Sequence, residues 1–205
     1  EYGEGIDGLF RKFDYKLTGI VNGVDNTVYK CSNESKKLLK AELQKKLGLN
    51  VDPNVPLVAI ITRLDRQKGI DLITAAFDRM MDLGIQFVLL GSGDPYYEEF
   101  FRWKESQYRG RVCSYIGFNQ ALSIEIYSGA DMFLMPSLFE PCGLSQMIAM
   151  EYGTVPIVRE TGGLKDTVTP YNEYTGQGNG FSFIDATPEV MLKIINYAIT
   201  IYDQQ

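Results

Sequence analysis

The sequence predicts an α/β domain, a doubly wound parallel sheet with helices on both faces. Three observations predict it. Short apolar runs alternate with longer stretches of helical spacing along most of the chain, the pattern of β-α-β units. Five of the apolar runs are followed by loops of polar or glycine-rich residues, as expected where strand ends face a ligand. The 205 residues are 45% hydrophobic and 22% charged, the balance and length of one globular domain.

The elements follow in order. Residues 17–21 are a short apolar run, read as a strand ending at the turn pair Asn22-Gly23. Residues 33–48 are rich in Lys, Leu and Glu and predict a helix, with Ser32 or Asn33 as its cap and Gly48 closing it. From Pro56 the alternation is regular. Residues 57–62 are continuously apolar, hence a buried strand. Residues 69–83 place Ile70, Ile73, Phe77 and Met80 or Met81 on one helical face. Strand 86–90, helix 95–108, strand 111–116 and short helix 121–128 come next. Strand 132–135, helix 144–152 and strand 155–158 follow, then a strand at 181–183 and a helix at 188–202. Right-handed crossovers make this arrangement Rossmann-like. The chain holds no internal repeat and no low-complexity tract.

Charge and composition exclude several functions. Twenty Lys and Arg against 26 Asp and Glu give a net charge of −6, so the basic field of a nucleic-acid binder is missing. An anionic ligand needs local cations. There is no histidine, which removes His-based triads and His metal ligands. Cys31, Cys113 and Cys142 are odd in number and widely spaced. They predict reduced thiols in a cytoplasmic setting, with neither disulfide framework nor zinc site. No apolar run is long enough to span a membrane and none at the start resembles a signal peptide, so no membrane partner is expected. The opening Glu1-Tyr2-Gly3 reads as that of an excised or processed chain.

Residues that follow the strands should converge on one edge of the sheet. After the first regular strand come Arg63 and Lys68, a basic pair that either grips a diphosphate or is two solvated cations at a helix start. Gly91 and Gly93 follow the second, and permit either close backbone approach to a ligand or simply a turn. Phe118 follows Gly117 and either stacks on a base or packs on the core. After strand 132–135 comes Glu140, ahead of a helix expected to start near Cys142. The N–H groups of Gly143 and Leu144 would there be free for an anion or a sugar oxygen. Alternatively, Glu140 only complements the helix dipole. Thr161-Gly162-Gly163 repeats the choice between ligand loop and helix cap.

Five stretches carry a resemblance: Lys16 to Asp25 with its Gly19-Ile20-Val21-Asn22-Gly23 centre, Thr62 to Gly69, Gly91-Ser92-Gly93-Asp94-Pro95, Pro136 to Gln146 with Phe139-Glu140-Pro141-Cys142-Gly143-Leu144, and Arg159 to Asp166 with Thr161-Gly162-Gly163-Leu164. In this order they resemble the C-terminal domain of bacterial glycogen synthases and plant starch synthases. The resemblance covers nearly the whole chain. It implies a two-domain GT-B enzyme, with residues 1–205 as its nucleotide-sugar-binding domain and the N-terminal acceptor-binding domain outside this chain. Such enzymes pass glucose from ADP-glucose, in some members UDP-glucose, to an α-1,4-glucan, with retention and without a metal or other cofactor.

By that resemblance, Arg63 and Lys68 stabilise the diphosphate leaving group and Glu140 is the essential carboxylate facing the donor glucose. Cys142, Gly143, Leu144 and Ser145 contact phosphate and sugar, Asn22 lines the glucose site and Phe118 stacks on the base. Gly91, Gly93, Thr161 and Gly162 complete the nucleotide site. Related retaining transferases carry a second glutamate eight residues after the first. Here that position is Ile148, as in the starch-synthase branch. The resemblance places the protein in bacterial cytoplasm, or in plastid stroma for a plant source. It also implies that this chain alone binds nucleotide weakly and transfers no glucose. Two other functions stay open at this stage: a catalytically silent nucleotide-sugar-binding module, and a GT-B transferase with a small sugar-phosphate acceptor.

Overall fold

Leu-Val-Ala-Ile-Ile is apolar at every position and forms the first strand, β1 (Leu57–Ile61), buried on both faces. The computed structural model describes residues 5–20, 22–25, 27–29 and 34–204. Five more strands follow: β2 (Gln86–Gly91), β3 (Val112–Ile116), β4 (Met132–Met135), β5 (Val155–Arg159) and β6 (Phe181–Phe183). All neighbours pair in parallel, in the order β3-β2-β1-β4-β5-β6. This is the strand order of a Rossmann-like domain, as the alternation in the sequence predicts.

The helices are α1 (Asp7–Lys12), α2 (Lys36–Lys46), α3 (Ile70–Met81), α4 (Pro95–Gln107), α5 (Gln120–Gly129), α6 (Ser145–Glu151), α7 (Gly162–Thr167) and α8 (Pro188–Tyr202). Successive strand side chains point to opposite faces, and the core divides accordingly. Val58, Ile60, Phe87, Leu89 and Leu134 pack with Phe77 of α3, Phe101 of α4 and Ile195 of α8. Leu57, Ala59, Val88, Leu90 and Phe133 pack with Leu43 of α2, Ile126 of α5 and Ile148 of α6. The sheet is therefore doubly wound. Its order reverses between β1 and β4, so the crevice of the topological switch point opens beyond their carboxyl ends.

The opposite edge is closed by a buried ion pair. Lys40 Nζ of α2 lies 2.7 Å from Asp131 Oδ2, both side chains almost fully buried. Asp131 also accepts from the Leu57 amide, and Lys40 donates to the Pro53 carbonyl and the Tyr202 hydroxyl. One lysine thus joins α2, the residue just ahead of β4, and α8.

Several boundaries differ from expectation. The run at 17–20 forms no strand. It is exposed, with Ile20 at 88%, and without a partner strand an apolar run makes no ladder; Val21 lies outside the described residues. Helix α2 starts at Lys36, capped by Ser35, which accepts from the Leu38 amide. Ser32 and Asn33, the expected caps, lie outside the described residues, as does Cys31. Gly48 does close that helix, in the left-handed region at φ 71°. Helix α6 begins at Ser145, not near Cys142. Gly143 has φ 71° and cannot belong to a right-handed helix. The short helix α1 has no counterpart in the sequence reading, whereas α7 starts directly after Thr161, where a helix cap was one of the two readings. Among the described residues no helix is long and apolar enough to cross a membrane.

Candidate functional site at the sheet switch point

The loops at the carboxyl edge are laced to one another through their backbones. Past the end of β1, the Thr62 amide donates to the Leu90 carbonyl and the Leu64 amide to that of Ser92. A Cβ at Gly91 would collide with the Thr62 carbonyl, and one at Gly93 with that of Leu64. These glycines are required by the neighbouring loop. Gly69, at φ 72°, sits likewise against the Pro136 carbonyl. It ends the turn Arg66–Lys68, which Asp65 caps.

The loop of residues 136–143 is held from both sides. On one side the Leu138 amide donates to the Gln67 carbonyl at 2.8 Å, and Gln67 Nε2 reaches the Phe139 carbonyl at 3.4 Å. On the other, Arg159 donates to the Ser137 and Leu138 carbonyls. The Gly163 amide donates to the carbonyls of Glu140 and Pro141. A Cβ at Gly162 or Gly163 would strike the Glu140 or Cys142 carbonyl. Thr161 is buried. Thr161-Gly162-Gly163 therefore supports the Glu140 loop from behind. Beneath it, buried Gln146 donates through Nε2 to the Cys142 and Gly143 carbonyls and the Thr167 hydroxyl.

This scaffold brings Lys68 and Glu140 together. Lys68 Nζ lies 2.6 Å from Glu140 Oε2, with the side chains 18% and 13% exposed. They line a small cavity of about 100 Å³ with Thr62, Ser137, Gly143 and Ser145. The cavity lies at the ends of β1 and β4, where the strand order reverses. A larger crevice of about 530 Å³ adjoins it and shares Ile61, Thr62, Leu144 and Ser145. Arg63, Gly91, Ser92, Gly117 and Phe118 line this second space. Arg63 is 68% exposed and only loosely paired, 3.6 Å from Asp65. The two basic residues thus serve adjoining spaces.

Phe118 is 89% exposed, which overturns core packing as its role. The Asn22 backbone reaches the same region, its main-chain N–H donating to Cys142 Sγ at 3.3 Å. The Cys142 thiol is free and half-buried. Sequence reasoning missed Tyr29, Ser123 and Tyr127, which also line the crevice. Burial pushes the Tyr127 phenol up to about 12, against the opposing pull of a hydrogen bond with Ser145; it is a neutral hydroxyl at neutral pH. No signal in the sequence separates Tyr127 from the apolar face of α5.

The model of the family described as "Glycosyl transferases group 1" matches residues 40–205. The chain belongs to this glycosyltransferase family. The glycogen synthase of Fusobacterium nucleatum subsp. nucleatum is 65% identical over 202 residues, covering 98% of this chain and 44% of that protein. The glycogen synthase of Clostridium beijerinckii is 50% identical over 215 residues, covering 98% and 45%. The chain therefore spans less than half the length of these relatives. Among solved structures, the catalytic domain of starch synthase IV from Arabidopsis thaliana, bound to ADP and acarbose, superposes with a TM-score of 0.91. It is 37% identical, covering 99% of this chain and 45% of that one.

Proposed function

We propose that the chain is the nucleotide-sugar-binding half of a retaining glucosyltransferase that extends an α-1,4-glucan. ADP-glucose is the favoured donor and UDP-glucose the alternative. The observation that carries this reading is the joined pair of spaces at the switch point. One is the larger, with Arg63 and the exposed Phe118 ring; the other is small, with the largely buried Lys68 and Glu140. A nucleotide sugar could place its base in the larger space and its hexose in the smaller, with the diphosphate across the boundary they share. The relatives' names support glucan as the acceptor class, and the ADP bound to the starch synthase neighbour supports adenine.

Phe118 offers its face to the base. Arg63 and Lys68 neutralise the diphosphate, on which negative charge grows as the bond to glucose breaks. Fixed cations stabilise that charge without a metal. Glu140, aimed by its doubly anchored loop, hydrogen-bonds the donor glucose. Cys142, Gly143, Leu144 and Ser145 line the sugar and phosphate end, beside Asn22. The acceptor is held by a second domain, so this chain alone elongates no glucan.

The test is Glu140→Ala in the full-length protein, assayed for glucose transfer to glycogen and, separately, to fructose-6-phosphate and glucose-6-phosphate. Loss of transfer to glycogen, with no transfer to the sugar phosphates by the parent, is the expected result. Undiminished transfer would make Glu140 a bystander, and preference for a sugar phosphate would replace glucan as acceptor.

A further inference from the structure

The Lys68–Glu140 pair sets two anions in competition for one ammonium. Glu140 Oε2 already lies 2.6 Å from Lys68 Nζ, with both side chains largely out of water. Such a pair is screened far less than a surface one. Backbone contacts tie the two loops: Leu138 donates to Gln67, and Gly69 abuts Pro136. With the loops so tied, the lysine side chain swinging between partners is the least disruptive route to release. Arg63, loosely paired and exposed in the adjoining crevice, is free to meet a phosphate first. Lys68 is not.

We propose that Glu140 acts as a built-in competitor of the diphosphate, holding Lys68 until a sugar-bearing nucleotide displaces it. The inference rests on the donor-site reading given above. A bare nucleoside diphosphate that draws Lys68 away leaves the Glu140 carboxylate part-buried and unpaired, which is costly. It also brings like charge toward that carboxylate. A nucleotide sugar offers hydroxyl groups that donate to the freed carboxylate. The exchange therefore favours the intact donor over the spent diphosphate, and helps product leave.

The experiment is calorimetric titration of the 205-residue chain with ADP, ADP-glucose and adenosine. The parent is compared with Glu140→Gln and with Glu140→Asp, which keeps the charge; circular dichroism checks each fold. Glu140→Gln should bind ADP roughly tenfold tighter or more, with adenosine unchanged. ADP-glucose should gain less, and Glu140→Asp should show no comparable gain for ADP. ADP bound equally or more weakly by a folded Glu140→Gln, while the parent binds ADP, overturns the competition and leaves the donor site standing. No ADP binding by either protein overturns both. Should Glu140→Gln not fold, Glu140→Ala, which also removes the charge, takes its place: tighter ADP binding than the parent supports the competition, and equal or weaker binding overturns it.

Discussion

The Leu138 amide donates to the Gln67 carbonyl at 2.8 Å, so the turn that carries Lys68 and the loop that carries Glu140 are one unit. Gly69 makes that contact possible. It has φ 72°, and any Cβ there would collide with the Pro136 carbonyl. Gly69→Ala should destabilise the domain by about 2 kcal/mol or more, from strain and collision together. Urea unfolding measures it. A midpoint equal to the parent's would show that the two loops have room to separate.

Phe118→Ala should separate binding from stability. The ring is 89% exposed, so the unfolding free energy should change by less than about 0.5 kcal/mol. Loss of one base stack should weaken ADP binding by about 1–3 kcal/mol. Calorimetry reads the affinity, and a thermal melt checks the fold. Unchanged affinity would remove Phe118 from the nucleotide site.

Lys40→Met should be among the most damaging single changes far from the site. It leaves the buried Asp131 carboxylate without its 2.7 Å partner, which costs about 3–5 kcal/mol. Adding Asp131→Asn should restore part of the loss, because the stranded charge is then gone. Denaturant titration of the single and double variants tests this, and a mild single variant would refute it.

Acid should loosen α3 from α4. Hydrogen bonding from Lys104, then Tyr108, holds the Asp78 carboxyl below its usual 3.8. A carboxyl with a lowered folded-state pKa stabilises the fold above pH 3.8. That contribution fades as pH falls through the lower folded value. Protonation would also leave the buried Lys104 without its counter-charge, although its ammonium stays over the Trp103 ring at 4.3 Å. The stability gap between the parent and Asp78→Asn should be full near pH 6 and shrink below about pH 4. Unfolding curves across that range check it, and a pH-independent gap would contradict it.

Much of this fold is legible from local pattern. The runs that became β1, β2 and β4 are apolar on both faces, and Pro95 and Pro188 stand at the first positions of α4 and α8, where proline belongs. The convergence of the polar loops is legible too, because loops after parallel strands must share an edge. What was not legible depends on contacts between distant residues. Lys68 and Glu140 are 72 residues apart, and no spacing reveals that one holds the other. At Gly91, Gly93 and Gly162 the sequence left ligand approach open beside a turn or a helix cap, and the neighbouring carbonyl that excludes a Cβ at each was not legible. The run at 17–20 looked like a strand because periodicity cannot say whether a partner strand exists.

Whether the switch-point crevice binds a nucleotide sugar through Arg63 and Phe118 is decided by calorimetric titration of this chain with ADP and with UDP. The expected result is saturable binding at one site per chain, tighter for ADP, and strongly weakened by Arg63→Ala in a protein that still melts normally. Binding of neither nucleotide, or ADP binding that Arg63→Ala leaves unchanged, would contradict it.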